Sequence, residues 1–398
     1  MKIKLGVLFG GRSAEHEISV ISAMQAIKAA DASRYDIIPI YIAKTGVWYT
    51  GAPLLDVENY RNTDKLLHIC QKIVLSPNAN DFTMYKYPQK SFFGSDPILN
   101  TIDVILPVIH GSHGEDGMLQ GFLDLMNIPY AGCNHLASAV GMDKIVMKMV
   151  FQSLGLPVVD WTYFYTYAWI ADADGEMDKV EAKIGFPVIV KPADLGSSIG
   201  IRVAKNRTEL REAIDNAVQF SRKIIIEKAV SQLKEINCSV LGDSEHAQPS
   251  VCEEPISAAD GFLSYEQKYQ SGGNGSKGDA GDSSKGMASV KRKIPADISA
   301  ETMETIQNMS VKAFQGMDAA GVSRIDYLID LANNAVYINE INTIPGSLSF
   351  YLWEATGVSF NVLIDRLVEL ALKKHREKNN LAFTFDANIF AAGGSGKK

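Results

Sequence analysis

IKLGVLFGGRSAEHEISVISAMQAIKAADASRYDIIPIYI, residues 3–42, already contains the alternation that sets the fold class. It opens on an apolar run, Ile3 to Phe9, that stops at Gly10-Gly11, as a buried strand does where the chain must turn. Ser13 then stands where a helix N-cap would. Beyond it Ile18, Ile21, Met24 and Ile27 recur at helical spacing on one side. A second strand is predicted at 36–42. Strand, helix and strand in so short a span is a β-α-β unit, and a parallel sheet follows from it.

The same reading extends outward. A buried strand is predicted over 102–108, ending at His110-Gly111 in HGSHGEDG, with a helix from Met118 to Met126. Around 129–132 the chain leaves this first unit, giving a domain of residues 1–131. In 132–228 the sequence predicts one helix through MDKIVMKMVFQSLG, strands at 187–191 and 201–204, a helix near 208–220 and a strand at 223–227. A third unit, 229–385, starts with a strand at 236–241. It continues through a hairpin, Arg324–Asp330 and Ala335–Asn342, turned by Leu331-Ala-Asn-Asn334, and ends in a helix at 361–373. The tail 391–398 is flexible by composition. In 271–286, ten of sixteen residues are Gly or Ser; Gly273, Gly275 and Gly278 match a dinucleotide fingerprint in spacing but lack its strand and helix, so a flexible loop is the reading.

Composition narrows the function. The 398 residues are 46% hydrophobic and 21% charged, the balance of a globular protein of two or three domains. A net charge of −7 argues against a nucleic-acid surface. Cys70, Cys133, Cys238 and Cys252 form no C-x-x-C pair and suit a reducing cytosol. With no signal-peptide pattern and no apolar run long enough to span a bilayer, the expectation is a cytoplasmic protein without membrane contact.

The densest chemistry lies in Arg324-Ile-Asp326 and Asn339-Glu340-Ile-Asn342. Alternation along a strand puts Arg324 and Asp326 on one face, and Glu340 and Asn342 on one face. If the strands pair, a cation, two carboxylates and an amide converge. Such hard oxygen donors suit Mg²⁺, with substrate phosphates completing the shell. Thr343-Ile-Pro345-Gly346-Ser347 follows, a turn able to bring a backbone N–H against a ligand. Lys144, Lys191 and Lys228 lie at strand or helix edges in apolar surroundings, where an ammonium needs an anion. Gly196-Ser-Ser-Ile-Gly200 allows close backbone approach to phosphate. Together they point to polyphosphate. Residues 224–230 read as a strand entering an interdomain connection that could hold an adenine. Glu15 sits in a helix first turn, where the helix dipole alone would favour a carboxylate. His110 and His113, near Glu115 and Asp116, lack zinc spacing, so loop hydrogen bonding is expected of them.

These motifs, in this order, resemble the D-alanine–D-alanine ligases of the ATP-grasp superfamily. The resemblance rests on GGRSAEHEIS (10–19), PVIHGSHGEDGMLQG (107–121), MDK (142–144), PVIVKPADLGSSIG (187–200), IIIEK (224–228), YEQKY (265–269), RIDYLID (324–330) and NEINTIPG (339–346). It implies an α/β, three-domain ATP-grasp fold with an N-terminal doubly wound parallel sheet and a lid over 260–295. The implied activity is ATP-dependent joining of two D-alanine molecules through an acyl phosphate.

By the same resemblance Lys144, Lys191 and Ser198 bind ATP phosphates and Lys228 also contacts ATP. Glu227, Ala229 and Val230 frame the adenine, and Glu235 holds the ribose. Asp326, Glu340 and Asn342 bind two Mg²⁺, for which Mn²⁺ can substitute. Glu15 takes the first substrate's ammonium in a network with Ser197 and Tyr269. Lys268 reaches the γ-phosphate, while Arg324 and the Gly346 N–H hold the oxyanion. His110, Ser347 and Tyr351 fall on the substrate side, Tyr351 standing where many relatives carry serine. A homodimer is implied. Three alternatives stay open: a D-alanyl-D-serine or D-alanyl-D-lactate ligase, another ATP-grasp carboxylate–amine ligase, and a non-catalytic nucleotide-binding regulator. A dinucleotide enzyme built on Gly10-Gly11 lacks the full fingerprint.

Overall fold

The computed structural model describes residues 1–88, 97–256 and 292–384. Three sheets follow one another along the chain. The first holds β1 (Ile3–Gly10), β2 (Tyr35–Ile42), β3 (Trp48–Thr50), β4 (Gln71–Leu75), β5 (Thr83–Lys86), β6 (Ile98–Thr101) and β7 (Val104–Val108), ordered β6-β5-β4-β3-β2-β1-β7. Only β2-β1-β7 is parallel; β3 to β6 extend it as an antiparallel meander. The doubly wound expectation therefore holds for the three strands that frame α1 (His16–Ala29). Residues 43–47, between β2 and β3, are too few for the dozen or so that a parallel crossover needs. Between β3 and β4 lies α2 (Thr63–Ile69).

Helix α1 starts later than Ser13 suggests. Its N-cap is Glu15, whose side chain makes no capping bond, while the Ser13 hydroxyl accepts the Glu15 N–H at 3.0 Å. Gly10 (φ 91°) and Gly11 (φ 100°) swing the chain out of β1, so residues 12–15 form a turn before the helix can begin. The buried side of α1 is made of small residues, among them Ser19, Ser22, Ala23 and Ala26, rather than the Ile18–Ile27 stripe alone. Two neighbours approach it closely: the sheet on one side and residues 346–349 on the other.

After β7 comes α3 (Met118–Leu125), and the next part contains α4 (His135–Met142), α5 (Lys144–Ser153), β8 (Trp161–Tyr165), α6 (Thr166–Ala171), α7 (Ala173–Lys183), β9 (Val188–Pro192), β10 (Arg202–Ala204), α8 (Arg207–Ala217) and β11 (Lys223–Lys228). Its sheet is antiparallel, β10-β9-β11-β8. The helix expected through 142–155 is α5, two residues shorter at each end. Asp143 separates it from α4 and caps it, accepting the N–H groups of Ile145 and Val146 at 3.0 and 3.2 Å.

The last part holds β12 (Leu233–Gly242), β13 (Ala247–Pro255), β14 (Arg292–Lys293), α9 (Ala300–Gly316), β15 (Gly321–Asp330), β16 (Ala335–Asn342), α10 (Phe350–Ala355) and α11 (Phe360–Asn379), with the sheet ordered β14-β13-β12-β15-β16. One sheet lies in each of the stretches 1–131, 132–228 and 229–385, while Ala137 of α4 and Met147 and Phe151 of α5 share an apolar core with β12, β15 and β16. One apolar cluster joins the two ends of the chain. Leu5, Val7 and Phe9 of β1 share it with Leu363, Ile364, Leu367 and Val368 of α11. Each such side chain contributes roughly 1.5–3 kcal/mol by leaving water, and together they fix the first sheet against the last.

Candidate active site

The three parts meet at one cleft. Its floor is the β15–β16 ladder, where Arg324 faces Asn342 and Asp326 faces Glu340 in register. All four line the cleft, while Ile325 and Ile341 are buried and join the core beneath it. Directly opposed residues of an antiparallel pair project from the same face, so the strand register itself gathers the cluster. A bulge follows Asp326 and adds local twist. Arg324 is buried and holds Asp326 with two parallel bonds, Nε at 2.7 Å and Nη2 at 2.8 Å. Asn342 donates to the same carboxylate at 3.1 Å. Among the described residues no three His, Cys, Asp or Glu side chains gather as a metal cluster, and this site has two carboxylates plus an amide.

One wall comes from the central part. Lys144, the first residue of α5, and Lys191, on β9, line the cleft and are buried. Lys144 donates to the Leu195 carbonyl at 2.6 Å, and its backbone N–H to Ala193 at 2.9 Å, which ties α5 to the turn after β9. In that turn Ser197 (φ 54°) and Ser198 (φ 59°) are left-handed, and both line the cleft. The Ser197 hydroxyl oxygen is buried with no hydrogen-bond partner among the described residues. A Cβ at Gly196 would come within 3.0 Å of a Glu15 carboxylate oxygen. The turn therefore packs directly on Glu15, and glycine is what lets it.

Beneath this wall lies a group that local sequence does not reveal. The Glu227 carboxylate sits between two ammonium groups, Lys191 at 2.7 Å and Lys148 at 3.2 Å, with all three side chains almost wholly buried. Burial opposes its charge, but Lys148 and Lys191 hold Glu227 down to about 2. Burial also lowers the pKa of Lys148 and Lys144.

The opposite wall is N-terminal. Glu15 and His110 line it, as does Glu115, which the sequence had assigned only to loop hydrogen bonding. Glu115 accepts the Gly111 N–H at 2.7 Å and, across 229 positions of chain, the Ile344 N–H at 3.2 Å. Burial, and then the neighbouring Glu15 carboxylate, push Glu115 up to about 8.

Other expected residues are placed differently. Glu235 and Gly346 line the cleft. Lys228 does not join Lys144 and Lys191; its ammonium caps the Phe186 carbonyl at 2.9 Å. The Ala229 N–H bonds the Pro187 carbonyl at 3.1 Å, and Val230 is half-buried. Both ring nitrogens of His110 are engaged within the protein, by the Ile344 carbonyl and the Ser22 hydroxyl, each at 2.9 Å. The Ser347 N–H reaches Ser22 Oγ at 3.1 Å. Tyr351 donates to Glu253 at 3.2 Å beneath the Arg292 guanidinium, 3.8 Å from its ring centre. Glu253 also takes bonds from Asn237 (2.9 Å) and Arg292 (2.8 Å), three residues unforeseen from sequence. Lys268, Tyr269, the glycines at 273, 275 and 278, most of 260–295 and the tail 391–398 lie outside the described residues.

The chain that carries this cleft matches known proteins over nearly its whole length. The family description "D-ala D-ala ligase N-terminus" matches residues 4–133, and "D-ala D-ala ligase C-terminus" matches 150–369. The chain belongs to the D-alanine–D-alanine ligase family. It is 38% identical over 393 residues to the D-alanine–D-alanine ligase of Geobacillus kaustophilus, covering 97% of this chain and 99% of that protein. The Heliobacterium modesticaldum ligase is 39% identical, covering 96% and 98%. Among solved structures, the VanG D-Ala:D-Ser ligase of Enterococcus faecalis superposes with a TM-score of 0.77 at 29% identity, covering 93% of this chain and all of that one. The Coxiella burnetii D-alanine–D-alanine ligase gives 0.76 at 28%, covering 95% and 98%.

Burial holds the His110 imidazole down to about 4. An unfolded histidine titrates near 6.5. Between those values the unfolded chain takes up a proton that the folded protein does not, so stability falls as pH drops through that window. The loss should reach roughly 3 kcal/mol at its acid end. His110→Asn removes this titration. Urea midpoints measured from pH 7 to 4 should therefore fall more steeply for the wild type than for the variant; parallel curves would refute the assignment.

Proposed function

We propose that the chain uses ATP to join two D-alanine molecules into D-alanyl-D-alanine, releasing ADP and phosphate. The observation that carries this is the meeting in one cleft of Glu15, the lysine pair, and the Arg324/Asp326/Glu340/Asn342 ladder, on a chain of this family. A carboxylate is a poor electrophile, and its charge repels a triphosphate. Lys144 and Lys191, with Ser198 and with Lys268 from the segment beyond β13, would neutralise the phosphates so that the first D-alanine's carboxylate can attack and form an acyl phosphate. The backbone of Glu227, Ala229 and Val230 would frame the adenine, Lys228 would also contact ATP, and Glu235 would hold the ribose.

Glu15, buried beside the unpartnered Ser197 hydroxyl, would hold the first ammonium together with Tyr269. The second amine then attacks the acyl phosphate. Arg324 and the Gly346 N–H would receive the charge that develops on oxygen. His110, Ser347 and Tyr351 would shape the substrate side from behind rather than bond to it.

The donor set also fits Mg²⁺. Asp326, Glu340 and Asn342 offer hard oxygens on one face, too few to fill an octahedron without phosphate oxygens. Two such ions, or Mn²⁺ in their place, supply charge neutralisation of the transferring phosphoryl group. The product class places the reaction in peptidoglycan precursor synthesis. A cytoplasmic homodimer is part of this reading. No helix among the described residues is long and apolar enough to cross a membrane.

The test is a competition of D-alanine against D-serine and D-lactate, with products separated by mass. Tyr269 favours the amine acceptor. A phenol of pKa about 10 stays neutral at pH 7 and adds no cation to repel an ammonium. D-Alanyl-D-alanine should dominate from neutral to alkaline pH, and Tyr269→His should raise the depsipeptide share as pH falls. Dominant serine or lactate product from the wild type would overturn the acceptor assignment.

A further inference from the structure

Residues 344–347 carry the Gly346 N–H into the cleft, and their paired backbone N–H groups go to the N-terminal part. The Ile344 N–H goes to Glu115, and Pro345 has no N–H to give. The Ser347 N–H goes to Ser22 Oγ on α1, 325 positions away. Gly346 alone keeps an N–H with no protein partner among the described residues. Immediately after it, Ser347, Leu348 and Ser349 have φ of 53°, 51° and 50°. Three successive left-handed residues cost on the order of 1–2 kcal/mol each, so the segment does not hold this shape unaided.

The polarity of the support can be worked out from one atom. The Ile344 carbonyl only accepts, so His110 Nδ1 carries the hydrogen of their 2.9 Å bond. In a neutral ring Nε2 is then an acceptor, and the Ser22 hydroxyl donates to it at 2.9 Å. That leaves the Ser22 oxygen lone pairs for the Ser347 N–H. Every donor in the chain Ile344–His110–Ser22–Ser347 meets an acceptor, and reversing any one bond breaks the others. Burial of the imidazole, which keeps it neutral, agrees with this order.

We propose that Ser22 is a positioning residue for the ligation. Through Ser347 and His110 it holds both sides of Pro345-Gly346, and so aims the Gly346 N–H at the reacting carboxyl group. The proposal deepens the functional reading above and rests on it. Ser22 itself does not line the cleft and touches no lysine of the nucleotide wall. Its removal should therefore act on the chemical step and spare ATP.

The experiment measures kcat and the KM for ATP of D-alanine-dependent phosphate release in wild type, Ser22→Ala and Ser22→Cys, with melting curves of each. Ser22→Ala should lower kcat about 10- to 100-fold, the scale of a small misplacement of a catalytic group, and change the ATP KM less than about threefold. Ser22→Cys, which keeps a weak donor and acceptor at that site, should recover part of kcat. If Ser22→Ala does not fold, the same split read in Ser22→Cys decides. An unchanged kcat in a folded variant, or a parallel loss of kcat and ATP affinity, overturns the proposal. A wild type that releases no phosphate with D-alanine would instead count against the functional reading.

Discussion

Glu340→Gln should reduce D-alanine-dependent phosphate release by about three orders of magnitude with the fold intact. Glu340 stands opposite Asp326 across the ladder, so two carboxylates share one small face of the cleft. Glutamine keeps shape and volume but removes a full charge from the set that would hold the metal. Metal stabilisation of a phosphoryl transition state is worth several kcal/mol, and each 1.4 kcal/mol is tenfold in rate. Asp326 keeps its two bonds to Arg324, while the buried Lys144 ammonium loses a favourable neighbouring charge, so the melting temperature should fall only slightly. Turnover within tenfold of the wild type at saturating Mg²⁺ would remove Glu340 from the metal site.

The second large effect is on stability. Glu227→Gln should destabilise the protein by about 3–5 kcal/mol, the usual consequence of leaving buried charge unpaired. Two ammonium groups now share that carboxylate at 2.7 and 3.2 Å, and that of Lys148 is wholly buried. Restoring apolar packing with Lys148→Met in the same chain should recover part of the loss, a coupling that a double-mutant cycle reads directly. The sign with pH is also fixed. Glu227 is held down to about 2, so its contribution is complete above the ordinary carboxylate range and fades as pH falls through about 2. Equal urea midpoints for wild type and Glu227→Gln at pH 7 would show that the triad contributes nothing.

How much of this could be read from the sequence depends on how local the signal is. The β1-α1-β2 unit and the β15–β16 hairpin announced themselves by periodicity within forty residues or fewer, and with the hairpin came the convergence of Arg324, Asp326, Glu340 and Asn342. Strands β8 and β13 did not, because Tyr163 and Tyr165 leave β8 with no clean polar face and β13 carries Glu253 and Glu254 among its apolar residues. Lys228 looked equivalent to Lys191, yet lies three strand positions beyond Ile225, the register partner of Lys191, and caps a loop instead.

The residues missed at the site are those whose meaning lies in a distant partner. Lys148 reads as one more lysine on an amphipathic helix until β11 places Glu227 against it. Glu115 and Ser22 acquire a role only when the last part of the chain folds back onto the first. Motif spacing cannot report such contacts. The resemblance to a family implies roles for residues facing the cleft, and the structure shows which side chains pack behind them.

The proposed reaction passes through an acyl phosphate, which isotope transfer from the carboxylate detects directly. D-Alanine labelled with a heavy oxygen isotope in its carboxylate is incubated with ATP, Mg²⁺ and the protein, and the released phosphate is weighed by mass spectrometry. Attack of the carboxylate on the γ-phosphate predicts phosphate carrying one labelled oxygen, formed in step with D-alanyl-D-alanine. Unlabelled phosphate, or phosphate formed at the same rate without D-alanine, would contradict the account.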